Sequence, residues 1–307
     1  MKNYYPEESF FGKTKFHPFV IIVFGLSLTI TFIASIEVVL SKLNEIFLGI
    51  NYEYYLKVLR SNNIPAAYLN FFLFRITIIQ IFGFGLTGWL LAQSASNWKN
   101  ELYFRPKFIS KNILLAGIIM LVAIPFYQIF MLYDNNLSFL GSEQLTRLKD
   151  IERQTQNLLN QIMKSNLGLN IILFAVIPAI CEEIFFRGFL FQNFKRFMNV
   201  WLAIFFSSLI FSILHFQIYG FLVRIVMGAV LAFFFHFSKN IFTSIFAHFV
   251  NNIFTTFVTW LALNDYISKE VIQINYQFHY SIVLISVFLS TILIYFFYQS
   301  NKNEKFG

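Results

Sequence analysis

Two adjacent glutamates and an arginine, Glu182, Glu183 and Arg187, lie inside a stretch of sequence that is otherwise apolar. Ionisable groups at bilayer depth are costly, so they are rare and usually mark a function. On a helix, Glu183 and Arg187 are four residues apart and share one face, where they can pair. Glu182 is turned by about 100° from Glu183, so the two carboxylates need not do the same job. The spacing indicates a structural ion pair beside a second, titrating carboxylate.

Two later apolar segments each contribute a histidine. Phe211 and His215 are four residues apart, so an aromatic ring and an imidazole share one helix face. His248 shares a face with Asn252 through the same spacing, and Asn251 is nearly as well placed. Spacing alone does not choose between the two asparagines.

These residue types fit the hydrolysis of a peptide bond by an activated water. A buried carboxylate is a candidate general base, and positioned donors can stabilise the oxyanion of a tetrahedral intermediate. We assign Glu182 as the base and His215 as the residue that orients the water. His248 and Asn252 are assigned as the oxyanion donors. Pro178 is expected to kink the helix and to leave room beside Glu182.

The composition places this chemistry in a membrane protein. Of the 307 residues, 57% are hydrophobic and only 12% are charged, whereas soluble domains are about a quarter charged. About 20 apolar residues cross the hydrocarbon core as a helix. Eight segments approach this length: 18–40, 66–92, 113–133, 167–191, 200–217, 219–237, 241–263 and 280–298. The sequence therefore predicts an all-α, polytopic membrane helix bundle with about eight transmembrane helices.

The sequence also predicts what lies outside the membrane spans. Residues 1–17 and 300–307 are predicted to be polar tails of a transmembrane bundle over residues 18–299. The segment 142–163 carries apolar residues at helical spacing amid charged ones, which is typical of an amphipathic helix on the membrane surface. The balance of Lys and Arg between alternate loops favours cytoplasmic positions for both termini.

Charge and cysteine content narrow the partners. The net charge of +8 is scattered over the loops, which suits membrane topology and anionic lipid headgroups. Membrane lipid is therefore an expected partner and nucleic acid is not. The single Cys181 excludes an intrachain disulfide and a site with several cysteine ligands.

The three motifs together resemble those of the CPBP family of intramembrane proteases, also called Abi or CAAX-protease-like proteins, which includes the type II CAAX prenyl endopeptidase. The family pattern is E-E-x-x-x-R, F-x-x-x-H and H-x-x-x-N. It is met by Glu182, Glu183, Arg187, Phe211, His215, His248 and Asn252. The resemblance covers about residues 167–258 and selects Asn252 over Asn251. It makes Glu183, Arg187 and Phe211 supporting residues of the site.

The resemblance implies an endopeptidase whose active site lies within the bilayer and whose substrate is a peptide or a membrane protein. Eukaryotic relatives cleave prenylated C-termini. Bacterial relatives are associated with peptide processing, bacteriocin immunity and the regulation of membrane proteins. The biased composition and compact loops favour a bacterial plasma membrane for this chain.

The motif residues are compatible with a reaction that uses Zn²⁺ and with a reaction that uses no metal. Glu182, His215 and His248 could supply three ligands to Zn²⁺ and leave a fourth position for water. Many members of the family are labelled metalloproteases, yet the H-E-x-x-H signature of zinc proteases is absent. We favour a reaction without metal, in which Glu182 activates water directly.

Two other classes of function remain open. A transporter also places acidic and histidine residues in its spans, but it is expected to show paired halves, and the sequence has no such symmetry. A non-catalytic immunity or scaffold protein could keep the same buried polar network and act by binding. A complete set of motifs favours the enzyme.

Overall fold

The computed structural model of the chain describes residues 5–14, 16–49, 51–59, 61, 64–96, 98–104, 111–134, 142–272 and 278–303. Parts of the two predicted tails, residues 1–4 and 304–307, lie outside these ranges. Helices, turns and short irregular connections account for the described residues, and no strand occurs among them. The prediction of an all-α membrane bundle is confirmed.

Ten helices of ten or more residues build the described part of the bundle. They are α1 (Pro18–Leu48), α2 (Ala66–Ala95), α3 (Lys111–Val122), α4 (Ile124–Asp134), α5 (Ser142–Met163), α6 (Leu167–Lys195), α7 (Val200–Ile213), α8 (Phe221–Ser238), α9 (Ile241–Leu263) and α10 (Tyr280–Asn303). Shorter helical turns lie at Phe10–Thr14, Tyr52–Leu59, Trp98–Glu101 and Lys269–Ile272.

The number of complete spans in the described ranges is lower than eight. Six helices are long and apolar enough to cross a membrane, and α3 with α4, bent by 47° at their junction, gives a seventh if the pair is one span. The predicted span 200–217 is the 14-residue helix α7, which is too short to cross the hydrocarbon core alone. Hydropathy did not reveal this, because α7 is followed by the apolar residues of a turn.

Polar residues define where the helices around the motifs begin. Asn166, Asn199 and Asn240 precede α6, α7 and α9, and each side chain accepts a hydrogen bond from a backbone N–H of the first turn. Asparagine is among the preferred residues at this position because it satisfies a donor that the helix cannot. Gly220 precedes α8 with a φ of +75°, a conformation that a residue without Cβ adopts at little cost.

Pro178 does not interrupt the helix that carries the two glutamates. α6 runs as one continuous helix, and the turns Ile172–Val176 and Ile184–Phe191 widen to π-helical geometry on either side of Ile177–Glu183. Proline has no N–H to donate to the preceding turn, and a wider turn before it accommodates the missing bond. Wide turns of this kind are frequent at functional sites.

The amphipathic segment forms the helix α5, and its last turns pack against the N-terminal part of the bundle. Leu158 and Ile162 are buried in a hydrophobic cluster with Tyr55 and Phe71. Nearby, Gln161 Oε1 accepts a hydrogen bond from the backbone N–H of Ile64 at 3.2 Å. These contacts attach α5 to α2 and to the turn before it.

One intramembrane arginine away from the motifs has an ion-pair partner on a neighbouring helix. The Arg75 side chain on α2 is buried and pairs with Glu37 on α1. This pair joins two helices that are apolar on almost every side.

Candidate active site

The site is built around α6, which carries both glutamates. Close approach of α2 to this helix depends on two glycines of α2. A Cβ added at Gly85 would lie 2.9 Å from Cys181 Sγ, and one added at Gly88 would lie 2.7 Å from Phe185 Cα. Both distances are shorter than ordinary van der Waals contact. The small residues therefore let α2 approach the backbone of α6 beside Glu182.

A network of charged side chains connects α6 with α9 and α8. Arg187 Nη1 donates to Glu183 Oε1 at 2.7 Å, and His248 Nδ1 lies 2.9 Å from the same oxygen. Arg187 Nη2 donates to the backbone carbonyl of Gly228 at 2.9 Å. All three side chains are at most 3% exposed. The predicted pair of Glu183 and Arg187 is therefore present, and it extends to His248.

Glu182 points to a different set of partners. Its Oε1 accepts a hydrogen bond from Gln80 Nε2 on α2 at 3.0 Å. Its Oε2 lies 3.9 Å from His248 Nε2, which is too far for a direct hydrogen bond. At this separation a water can bridge the carboxylate and the imidazole. The two glutamates thus have different hydrogen-bond partners, in keeping with their different angles on the helix.

Phe211 lies at the centre of the predicted residues. Its ring centroid is 4.7 Å from that of His215 and 6.1 Å from that of His248. The guanidinium carbon of Arg187 lies 5.2 Å from the same centroid. A cation over an aromatic face is an attractive arrangement when both groups are shielded from water. Phe211 is fully buried and separates the ion pair from His215.

His215 lies just beyond the end of α7, in a tight turn. Its Nδ1 is 2.7 Å from the backbone carbonyl of Phe211. A carbonyl oxygen can only accept, so Nδ1 carries the hydrogen and Nε2 is the nitrogen left for another partner. The carbonyl one turn back thus fixes the orientation of the imidazole.

The turn after His215 is held by two further side chains. Arg224 Nη1 donates to the Tyr219 carbonyl at 2.9 Å, and its Nη2 donates to the carbonyl of Gln217. From α5, Glu152 Oε1 accepts the backbone N–H of Tyr219 at 2.9 Å. Burial and the nearby Glu152 carboxylate raise the pKa of Tyr219 above its usual value. Arg224 and Glu152 therefore connect α8 and α5 to the segment that carries His215.

Asn251 and Asn252 follow His248 by about one turn of α9. Asn251 Nδ2 donates to Asn252 Oδ1 at 3.3 Å. This bond turns the Asn252 amide so that its own Nδ2 stays available as a donor. Both asparagines are partly exposed, unlike His248.

The side chains of the described residues do not form a metal-binding group. Nowhere in the described ranges do three or more His, Cys, Asp or Glu side chains converge as metal ligands would. The geometry does not fit the three-ligand zinc alternative, and we derive no step through a metal.

Gln80 is the site residue that the sequence analysis missed. It lies in the π-helical turn Ile79–Leu86 of α2, far in sequence from the three motifs. A signal existed, because Gln80 is a strongly polar side chain between isoleucines inside an apolar span. The apolar pattern of α2 could not show that this side chain faces Glu182.

Comparison with known proteins agrees with the motifs. A family model described as Type II CAAX prenyl endopeptidase Rce1-like matches residues 164–254. The matched range begins just before α6 and ends within α9, so it includes all three motifs. No curated protein and no solved structure matches the chain significantly. The family match confirms that the three motifs resemble those of the CAAX-protease-like family.

Proposed function

We propose that the chain is an intramembrane peptide hydrolase of the CAAX-protease type, as the family match over residues 164–254 indicates, and that Glu182 is the general base that activates the attacking water. The observation that carries this proposal is the 3.9 Å gap between Glu182 Oε2 and His248 Nε2. A water beside these two atoms could hydrogen-bond to both of them. Glu182 is 5% exposed, so bulk water does not compete for its carboxylate.

The proposed reaction proceeds through one tetrahedral intermediate. The water oxygen attacks the carbonyl carbon of the scissile bond while one of its hydrogens passes to Glu182. Negative charge then develops on the former carbonyl oxygen. When the intermediate collapses, the C–N bond breaks and Glu182 returns the proton to the leaving amine. One carboxylate thus acts first as base and then as acid.

The oxyanion is assigned to donors on α9. Glu183 accepts from His248 Nδ1. When both ring nitrogens carry hydrogen, Nε2 is the second donor of His248 and is available for the oxyanion. Asn252 supplies another donor, oriented by Asn251. Donors that are already positioned stabilise the transition state without a cost of reorganisation.

We assign His215 to the orientation of the water and propose that no metal is required. Its Nδ1 is occupied by the Phe211 carbonyl, so Nε2 is the nitrogen that can accept a hydrogen from water. The substrate is proposed to be a peptide or a membrane protein that reaches the site within the bilayer. The host membrane is proposed to be a bacterial plasma membrane, with both termini in the cytoplasm.

The function is tested by proteolysis in reconstituted liposomes. The purified protein and its Glu182→Gln variant are incubated with a library of quenched peptides, with and without a chelator. We expect cleavage by the wild type that is absent in the variant and unaffected by the chelator. Cleavage lost with the chelator and restored by Zn²⁺ would contradict the reaction without metal. Equal results for the two proteins would contradict the role of Glu182, and a wild type without cleavage would favour a binding or transport function.

The assignment of the oxyanion donors makes a second prediction. Asn252→Ala is expected to lower kcat by about 100-fold, the scale on which one oxyanion donor contributes. Asn251→Ala is expected to lower kcat by no more than about 10-fold, because Asn251 acts only through Asn252. Steady-state kinetics on one cleaved peptide measures both. A larger loss for Asn251→Ala would assign the donor to Asn251 instead.

A further inference from the structure

Gln80 is a polar side chain at a position in a membrane span where an apolar residue would pack equally well. Its side chain lies within the apolar helix α2, where an amide is costly unless it is fully hydrogen-bonded. Its Nε2 donates to Glu182 Oε1 at 3.0 Å. Its Oε1 is buried and has no hydrogen-bond partner. A methionine or leucine would fill the same volume without leaving an acceptor unsatisfied.

The hydrogen bond from Gln80 determines how the Glu182 carboxylate is oriented. The carboxylate has two oxygens, and Gln80 occupies Oε1. Oε2 is the oxygen on the side of His248, at 3.9 Å from its Nε2. The donor on α2 therefore fixes the plane of the carboxylate and keeps Oε2 directed towards the gap where we place the water.

The backbone around Gln80 is arranged to hold this contact. Gln80 lies in the π-helical turn Ile79–Leu86, and such turns are frequent at functional sites. Gly85 and Gly88 bring α2 against α6 close to Cys181 and Phe185, on either side of Glu182 in sequence. The distance between Gln80 and Glu182 is thus set by backbone packing rather than by two flexible side chains.

We propose that Gln80 is a positioning residue for hydrolysis, which selects Oε2 of Glu182 as the oxygen that takes the proton from water. This inference rests on the proposed function of Glu182. Gln80 lies outside the matched residues 164–254, so the catalytic segment depends on a contact from the N-terminal half of the chain. Misplacement of a catalytic group by about 1 Å can cost about 100-fold in rate.

The test replaces the amide by a side chain of similar length that cannot donate. Gln80→Met is expected to lower kcat by about 10- to 100-fold with a change in KM of less than about twofold. Its melting temperature in detergent is expected to stay close to that of the wild type, because two opposing effects are combined: the variant removes the unsatisfied acceptor of Gln80, and it leaves Glu182 Oε1 without its donor. The control is Gln93→Met on the same helix, at an exposed position about 20 Å further along α2, and we expect it to keep the wild-type kcat.

A double-mutant cycle shows whether Gln80 acts through Glu182. Glu182→Asp withdraws the carboxylate by one methylene, so Gln80 can no longer reach it. Gln80→Met is therefore expected to cost less than about threefold in the Glu182→Asp background. The same fold loss in both backgrounds, or a wild-type kcat for Gln80→Met, would overturn the proposal while leaving Glu182 as the base. A loss of kcat that follows a loss of melting temperature would assign Gln80 to stability instead. A wild type without cleavage would overturn both proposals.

Discussion

Glu182→Gln is expected to lower kcat/KM for peptide cleavage by about 1,000-fold, within the range of general acid–base catalysis. The substitution keeps the size and planarity of the side chain but removes the carboxylate that we propose as the acceptor of a proton from water. The buried ion pair keeps its hydrogen bonds in this variant, because Glu183 holds both Arg187 and His248. The melting temperature should therefore change little while activity is lost.

The measurement is single-peptide cleavage at matched concentrations of folded protein. The matched control is Glu45→Gln on α1, where the carboxylate is 46% exposed and pairs with Lys42 on the helix surface. Exposed pairs of this kind contribute little, so the control should keep wild-type activity and stability. Residual activity above about one tenth in Glu182→Gln would show that another group activates the water.

The motif residues were predictable from sequence because spacing on a helix is a local property. Glu183 and Arg187 form the ion pair that their four-residue spacing predicts. The rings of Phe211 and His215 are in contact, as the four-residue spacing predicts, although His215 lies in the turn after α7. The separation of Glu182 from this pair also followed from its angle on the helix. None of these inferences needed to know which helices are neighbours.

The contacts between helices were not predictable in the same way. A membrane helix is apolar towards lipid and towards its neighbours, so the apolar pattern does not indicate which face is buried. The bond from Gln80 to Glu182 joins residues 102 positions apart. The bond from His248 to Glu183 spans 65 positions. The sequence could place both donors inside the membrane, but it could not assign their partners.

The length of α7 was missed for a related reason. The segment 200–217 has enough apolar residues for a span, but the helix ends at Ile213 and a turn follows. That turn places His215 beside Phe211 and receives bonds from Arg224 and Glu152. Polar partners from two other helices stabilise the turn, and hydropathy contains no information about them.

Arg187→Ala is expected to be the most destabilising single substitution in the site. It leaves the carboxylate of Glu183, which is fully buried, without its closest cation and removes the bond to the Gly228 carbonyl. Breaking a buried ion pair by removing one partner costs about 3–5 kcal/mol. The expected effect is a fall of roughly 10 °C in melting temperature. Activity should also fall, because Arg187 no longer holds Glu183 in place as the acceptor of His248 Nδ1.

The control for charge alone is Arg153→Ala on α5. Arg153 pairs with Asp150 at 3.3 Å, but the two side chains are 75% and 53% exposed. This pair is expected to contribute less than about 1 kcal/mol. Thermal unfolding in detergent compares the two variants directly. Equal melting temperatures would show that the buried pair is not a source of stability.

A double variant separates the two roles of the ion pair. When both charged partners are replaced by apolar residues of similar volume, stability is often retained because no buried charge is left alone. Glu183→Met with Arg187→Met should therefore melt well above Arg187→Ala. It should remain inactive, because His248 Nδ1 has lost the carboxylate that orients the ring. Recovery of activity together with stability would mean that the buried charges serve only the fold, and it would remove Glu183 from the mechanism.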